Sequence, residues 1–243
     1  MSQGELSGRS ALVTGGTAGI GLESARLLAE AGAAVTITGR DVERGEKALA
    51  ALGLGVRFVA ADLSDLESVA SLARQCGDVD VLVNNAASFP GASTVDQDPA
   101  SFERTFDTNV RGAYFLVAAV APGMLARGSG SIVNVTSMVA FKGVAGASTY
   151  SASKAALESL TRTWAAEFGS RHVRVNSVAP GPTATEGVVA EWGDTNEELG
   201  RALPLGRTAD PREIAEAVLF LASPRSSFVT GSTLHADGGG AAV

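Results

Sequence analysis

The sequence predicts an α/β protein: a single doubly wound Rossmann-type domain over residues 1–243, with a mainly parallel sheet of about seven strands flanked by helices. Three observations predict it. Short apolar runs alternate with helical stretches along the whole chain. Those runs, Ala34–Thr38 and Val79–Val83 among them, carry little polar alternation, as strands buried on both faces require. The first run also leads straight into a glycine-rich turn, Thr14–Gly21, which opens a helix.

Taken in order, Ser10–Thr14 is the first strand, and the helix Glu23–Ala31 follows the turn and closes at Gly32, a C-capping type. Strand Ala34–Thr38, helix Val42–Leu52, strand Val56–Ala60, helix Asp65–Gln75 and strand Val79–Val83 continue the alternation. Pro99–Ala126 reads as one long helix, Ser131–Ser137 as a strand, Tyr150–Gly169 as a helix and Val173–Val178 as a strand. Asp210 is placed to cap a helix over Pro211–Ala222, and Thr233–Ala236 closes the sheet. Residues 181–209 take no assignment. So long a stretch in a compact domain predicts a substrate lid there, containing a short helix.

Composition narrows the function. Hydrophobic residues at 45% and charged residues at 19% describe a folding globular chain, and 29 glycines in 243 residues exceed the usual ~7%. The net charge of −7 repels polyanions, so neither nucleic acid nor an acidic membrane is an expected partner. Cys76 is the single cysteine and the two histidines, His172 and His235, are far apart, which predicts no metal. The first ten residues hold no apolar segment, and the apolar run Ala113–Ala121 is well short of the ~18–20 residues of a bilayer span, so a cytoplasmic location is expected.

The residues that carry chemistry cluster at strand ends. In Thr14–Gly21, around Thr17 and Ile20, Gly15 permits a tight turn, Gly19 admits a pyrophosphate to the backbone, and Gly21 lets helix and strand pack closely. The helix N-terminus then offers free N–H groups to the anion. A carboxylate at the tip of the second strand would bind a ribose 2′-hydroxyl; Gly39 followed by Arg40 suits a 2′-phosphate instead, which favours NADP(H) over NAD(H), although the neighbouring Asp41 is within reach of a ribose. Asp62, followed by Leu63, is placed to accept from an adenine amino group or to cap a helix, a task for which Ser64 is the better placed. Asn84, Asn85, Ala86 and Ala87 suit a crowded strand end beside a ligand, the amides bracing backbone and the methyls leaving room.

Tyr150 and Lys154 stand at i and i+4 on one helix face. A cation ~4 Å from a phenolate is worth about 4 kcal/mol at an effective dielectric of ~20. That would bring the phenol from ~10 to near neutrality and make Tyr150 a general acid or base. Ser137, at the end of the fifth strand, is placed to hold a substrate oxygen. Asn109 stands mid-helix, where an amide is unfavourable, and is a candidate to hold a water that links Lys154 to solvent.

Together these residues resemble the short-chain dehydrogenase/reductase family in its compact one-domain branch: TGGTAGIG at Thr14–Gly21, Asp62, NNAA at Asn84–Ala87, Asn109, Ser137, YSASK at Tyr150–Lys154 and PGPTAT at Pro180–Thr185. Ala87 stands where the family commonly has glycine. The resemblance implies that Tyr150 is the acid/base, Ser137 orients the carbonyl, Asn109 keeps a relay water, and Lys154 also holds the nicotinamide ribose. It implies Pro180, Gly181 and Thr183 beside the nicotinamide, Thr185 near its carboxamide or the pyrophosphate, and a homotetramer. It points to 3-oxoacyl reductases or broad ketoreductases acting on a small-molecule ketone or secondary alcohol. Phe89, Met138, Val139, Val144, Val188 and Trp192 are the expected substrate wall, with Arg127 and Arg171 available to an acidic carrier protein. The competing readings are an NAD(H)-dependent alcohol dehydrogenase of the same family, a sugar-nucleotide epimerase, for whose extra domain there is no room, and a dinucleotide sensor without proton chemistry.

Overall fold

A parallel strand bonded on both edges and covered on both faces must be apolar through its middle, and β1 (Ser10–Thr14), with Ala11, Leu12 and Val13 there, is such a strand. It pairs with β2 (Ala34–Gly39) on one side and β4 (Val81–Asn84) on the other. The computed structural model describes residues 4–53 and 55–243, so residues 1–3 and 54 of the predicted domain lie outside the described residues. With β3 (Val56–Ala60), β5 (Gly130–Val135), β6 (Val173–Pro180) and β7 (Thr233–Ala236), it forms an all-parallel seven-stranded sheet ordered β3-β2-β1-β4-β5-β6-β7.

Helices cover both faces. One core joins α1 (Gly19–Glu30) and α9 (Pro211–Ala222) to the sheet through Leu28, Val13, Ile37, Val133, Val178 and Ile214. The other joins α3 (Leu66–Cys76), α5 (Ala113–Arg127) and α6 (Ser148–Phe168) through Leu72, Leu12, Leu82, Leu116, Ile132 and Leu157. Leu12 and Val13, adjacent in sequence, enter opposite cores, the period-2 rule of a strand. Each such buried aliphatic side chain contributes about 1.5–3 kcal/mol, so the strand ends that carry the site rest on packing from two sides.

Where local chemistry marks a boundary, expectation and structure coincide. The helix α2 (Val42–Leu52) begins after Asp41, whose carboxylate accepts from the Arg44 N–H, and α9 begins in a capping box made by Asp210 and Glu213. Elsewhere the structure corrects the reading. The first helix starts at Gly19, not Glu23, because the glycine turn is itself wound into its first turn. The cap of α3 is Asp65, which accepts from the Glu67 N–H, and neither Asp62 nor Ser64.

The expected single helix over Pro99–Ala126 divides into α4 (Pro99–Phe106), a wide π-helical segment over Asp107–Gly112, and α5. The wide turn lets Gly112 lie against the Leu63 carbonyl, where any side chain would collide. The run Pro99–Arg127 has the length and apolarity of a membrane span, but its apolar face, Leu116, Val117 and Met124, is in the second core. Residues 181–209 carry two short helices, α7 (Glu186–Trp192) and α8 (Asp194–Arg201), where one was expected.

Candidate active site

The chain leaves β1 and β4, neighbours in the sheet, toward helices on opposite faces, and that divergence opens a crevice at the carboxyl edge. It encloses about 590 Å³. At its floor is the N-terminus of α1. The N-cap is Ala18, in extended backbone and without a side chain able to bond the first-turn N–H groups, so those donors face the crevice uncapped. Gly15 has φ 63° and leaves no room for a side chain: a Cβ would stand 2.9 Å from the Ala86 Cα. A Cβ on Gly21 would strike the Gly15 carbonyl. The turn is braced from β4, where the Asn85 amide donates to the carbonyls of Thr14 (2.9 Å) and Gly15 (3.1 Å) while the Thr14 hydroxyl accepts from the N–H groups of Asn85 and Ala86. Asn85 thus shapes the glycine turn.

At one end of the crevice stand Thr17, Arg40 and Arg44. Gly39 ends β2 without a carboxylate, a Cβ there would stand 2.9 Å from the Thr17 methyl, and the neighbouring carboxylate of Asp41 is engaged in capping α2. Arg44 pairs with Glu186 at the start of α7, 3.6 Å away. Asp62 and Leu63, expected at the adenine, lie outside the crevice lining; one Asp62 oxygen accepts from the N–H and hydroxyl of Ser64.

At the other end Tyr150 and Lys154 project from α6, and Ser137 lies just beyond β5 with its hydroxyl beside the phenol. Lys154 is buried, its Nζ donating to the Val135 carbonyl (2.7 Å) and lying 5.6 Å from the Tyr150 ring centre. This arrangement reverses the expected direction of the phenol's shift. Burial pushes Tyr150 up to about 12, against the lowering effect of the Ser137 hydrogen bond, and burial pushes Lys154 down to about 8, against the Glu158 carboxylate that favours its charge. The i,i+4 estimate counted the attraction between two charges and omitted the desolvation of each, which is the larger effect here. The Asn109 amide is bonded within the protein. Its side chain donates to the Ser88 carbonyl (2.8 Å) and Ser153 hydroxyl (2.9 Å) and accepts from the Ser88 N–H (2.7 Å), so the amide braces the β4 loop against α6 and does not line the crevice.

The family description enoyl-(acyl carrier protein) reductase matches residues 15–240. The chain belongs to the short-chain dehydrogenase/reductase family. A solved structure described as a short chain dehydrogenase/reductase family protein is 67% identical, covers 98% of this chain and 100% of its own, and superposes with a TM-score of 0.95. Among curated relatives, the cis-4-hydroxycyclohexanecarboxylate dehydrogenase of Sinomonas cyclohexanicum is 41% identical over 97% of both chains. The 3-oxoacyl-[acyl-carrier-protein] reductase of Vibrio harveyi is 39% identical over 96% of this chain and 98% of its own. A structure from Beutenbergia cavernae, described as a candidate NAD(P) dependent gluconate 5-dehydrogenase with bound NADP at low occupancy, is 37% identical over 98% of both chains, with a TM-score of 0.91. The protein is an NAD(P)-dependent oxidoreductase acting on alcohol and ketone groups.

In this short-chain dehydrogenase/reductase the remaining predicted residues fall on the same crevice. Gly19, Ile20 and Ala86 lie at its floor, and Pro180, Gly181, Thr183 and Thr185 form the wall after β6. Thr185 caps α7, its hydroxyl accepting from the Val188 N–H, and its methyl stands against Gly19. Phe89, Met138, Val139, Val144, Val188 and Trp192 line the end beyond Tyr150, and Phe89 meets Tyr150 edge-on at 6.2 Å. Two polar residues there, Glu191 and Asn196, escaped the sequence reading, as did Arg44 at the opposite end. Glu191 accepts from the Gly91 N–H (3.0 Å), tying α7 to the β4 loop, and Asn196 donates to the Thr183 carbonyl (3.3 Å). Neither belongs to a motif; only the helical assignment of 186–201 would have exposed them. Arg127 and Arg171, expected to meet a carrier, sit at the amino edge of this chain's sheet, opposite the crevice, and Arg127 is bonded to Asp78 (2.6 Å).

Proposed function

We propose that the protein interconverts a ketone and a secondary alcohol with NADP(H), Tyr150 giving or taking the proton. The observation that carries this reading is the meeting of the Tyr150 phenol, the Ser137 hydroxyl and the Lys154 chain in the crevice that also receives the uncapped α1. The dinucleotide, when bound, supplies the hydride carrier. The residues present fit it: α1 N–H groups with Gly15, Thr17, Gly19 and Ile20 for pyrophosphate, Arg40 and Arg44 for a 2′-phosphate, and Lys154 for the nicotinamide ribose.

In this reading Ser137 donates to the substrate oxygen and holds it against the phenol, Lys154 steadies charge on that phenol, and Asn109 keeps α6 in register with the β4 loop. Pro180, Gly181, Thr183 and Thr185 flank the nicotinamide, and α7 and α8 close over the substrate as a lid. The substrate is a neutral, apolar ketone or alcohol: beyond Tyr150 the wall is Phe89, Val139, Val144, Val188 and Trp192, and the charge it carries is the Glu191 carboxylate. A homotetramer in the cytoplasm, where the single thiol of Cys76 stays reduced, completes the reading. Exposed Tyr114 and Phe115 on α5, beside an apolar groove shared with α6, support the assembly.

The test is a panel of neutral and carboxylated ketones and alcohols assayed with NADPH and NADH. NADPH is expected to lead by tenfold or more in kcat/KM; a lead for NADH refutes the Arg40 and Arg44 assignment. Tyr150→Phe is expected to lose at least about a hundredfold in turnover while binding cofactor normally. Wild-type protein that binds NADPH and turns over no member of the panel would instead be a sensor.

A further inference from the structure

Glu158 is buried on α6, one helical turn beyond Lys154 on the face that carries Tyr150 and Lys154, and the chemistry described above makes no use of it. A carboxylate 3% exposed is expensive to bury without partners, and this one is fully supplied. Thr136, just beyond β5, donates its hydroxyl to one oxygen; Ser177 of β6 (2.9 Å) and Thr233 of β7 (2.6 Å) donate theirs to the other. Three hydroxyl donors from three neighbouring strand segments are what an ionised, acceptor-only carboxylate requires. The Lys154 ammonium, one turn away, donates to the carbonyl of Val135, the residue before Thr136, so cation and anion grip adjacent points at the end of β5.

The other charged groups on elements packed around this pair are engaged elsewhere. Asp107 and Arg111 of the π-helical segment pair with each other at 3.2 Å, Arg174 of β6 bonds Ser226 and the Ser223 carbonyl, and His235 of β7 meets Phe141 edge-on with ring centres 4.9 Å apart. Glu158 is accordingly the negative group whose attraction opposes the desolvation of Lys154.

We propose that Glu158 is the buried counter-charge of Lys154, a positioning residue that keeps the ammonium charged and its chain seated on β5, and so acts on the reaction through Lys154. The carboxylate touches neither cofactor nor substrate; its influence is electrostatic. The inference rests on the proposed role of Lys154 only for its catalytic consequence, since the charge coupling exists in the cofactor-free protein.

The chain has three lysines, Lys47, Lys142 and Lys154, and only Lys154 is buried. A 13C-lysine NMR titration of the full cofactor-free protein therefore resolves its ionisation. Wild-type Lys154 is expected to titrate at about 8. Glu158→Gln, which keeps the shape and removes the charge, is expected to lower its proton affinity by tenfold or more, whereas Glu158→Asp should leave the lysine charged at neutral pH. In turnover with NADPH and the best ketone of the panel, the alkaline fall of kcat/KM should move to lower pH by the same factor in Glu158→Gln. A Lys154 titration in Glu158→Gln that coincides with wild type overturns the proposal. If Glu158→Gln does not fold, Glu158→Asp provides the second reading: a shorter carboxylate, farther from Lys154, must lower the lysine's proton affinity by a measurable fraction of that factor, and an unmoved Lys154 titration overturns the coupling. Absence of turnover in wild type would refute the enzymatic reading while leaving the NMR result to judge Glu158.

Discussion

Near neutral pH a phenol pushed up to about 12 holds its proton, and a buried lysine pushed down to about 8 keeps most of its charge below that value. The two directions of reaction therefore depend differently on pH. In the proposed mechanism ketone reduction needs protonated Tyr150 and charged Lys154; both are present below about pH 8, and the second is lost as pH rises through it. Alcohol oxidation needs the phenolate, which is scarce at neutrality and gains about tenfold per pH unit, until loss of the Lys154 charge offsets the gain above about 8. The expected profiles of kcat/KM are thus a plateau that falls for reduction and a rise that levels for oxidation. A flat oxidation profile between about pH 6 and 8 would mean that the phenol is already ionised in the free enzyme. At this scale the convergence of Ser137, Tyr150 and Lys154 on one crevice was legible because a strand end and an i,i+4 spacing are local properties. The sign of the phenol's shift was not, because desolvation depends on Val135, Phe89 and the sheet behind them, which no local spacing reports.

Among the elements, α2 and α9 were read to the residue, α9 from its own start signals, Asp210 and Pro211, whereas Asp41, read as a residue within reach of a ribose, is the N-cap of α2. The π-helical segment, α7 and α8 were not, since they answer to tertiary demands: Gly112 against Leu63, Asn109 bonded to Ser88 and Ser153, and Glu191 to Gly91. The start of α1 is the instructive case. Ala18 has the extended backbone of an N-cap, φ −160° and ψ 166°, but no capping atom, so the helix forgoes about 1 kcal/mol of local stability and keeps its N–H groups for an anion. Ala18→Asp should restore the cap and place a charge where pyrophosphate is proposed to lie. Thermal unfolding of the cofactor-free variant is expected to move up, and its KM for NADPH to rise at least tenfold. A variant stabilised with an unchanged KM would remove α1 from cofactor binding. At the opposite end of the crevice, Arg44 meets Glu186 of α7, an exposed pair worth little by itself. Its carboxylate occupies a guanidinium assigned to the 2′-phosphate. Glu186→Gln should therefore lower the KM for NADPH a few-fold and leave that for NADH alone, and equal effects on both would point to lid movement instead.

Across the molecule, the sheet order places every proposed catalytic or cofactor contact at the carboxyl edge, while the helices that carry Tyr150 and the π-helical segment turn another face outward. On that face Tyr114 and Phe115 are 44% and 46% exposed, and Phe102 stacks on Phe106 with ring centres 4.8 Å apart. An apolar groove runs between α5 and α6, lined by Val110, Tyr114, Phe115, Ala156 and Leu160, with the Asp107–Arg111 ion pair at its rim. A two-fold axis through such a face would lay each copy's aromatics into the other's groove, the self-complementary contact of a closed dimer. The net charge of −7 works against association at long range, so the apolar area must provide the attraction. Phe115→Glu inserts a carboxylate at the centre of that contact and should halve the mass measured by light scattering, or reduce it further. Because Phe115 is half-exposed in the single chain, thermal unfolding of the separated subunit should remain cooperative. The same substitution is remote from the crevice, so turnover lost in parallel with mass would mean that the partner's α5 steadies α6 and, through it, Tyr150. Unchanged mass would leave the groove without the occupant that its chemistry suits.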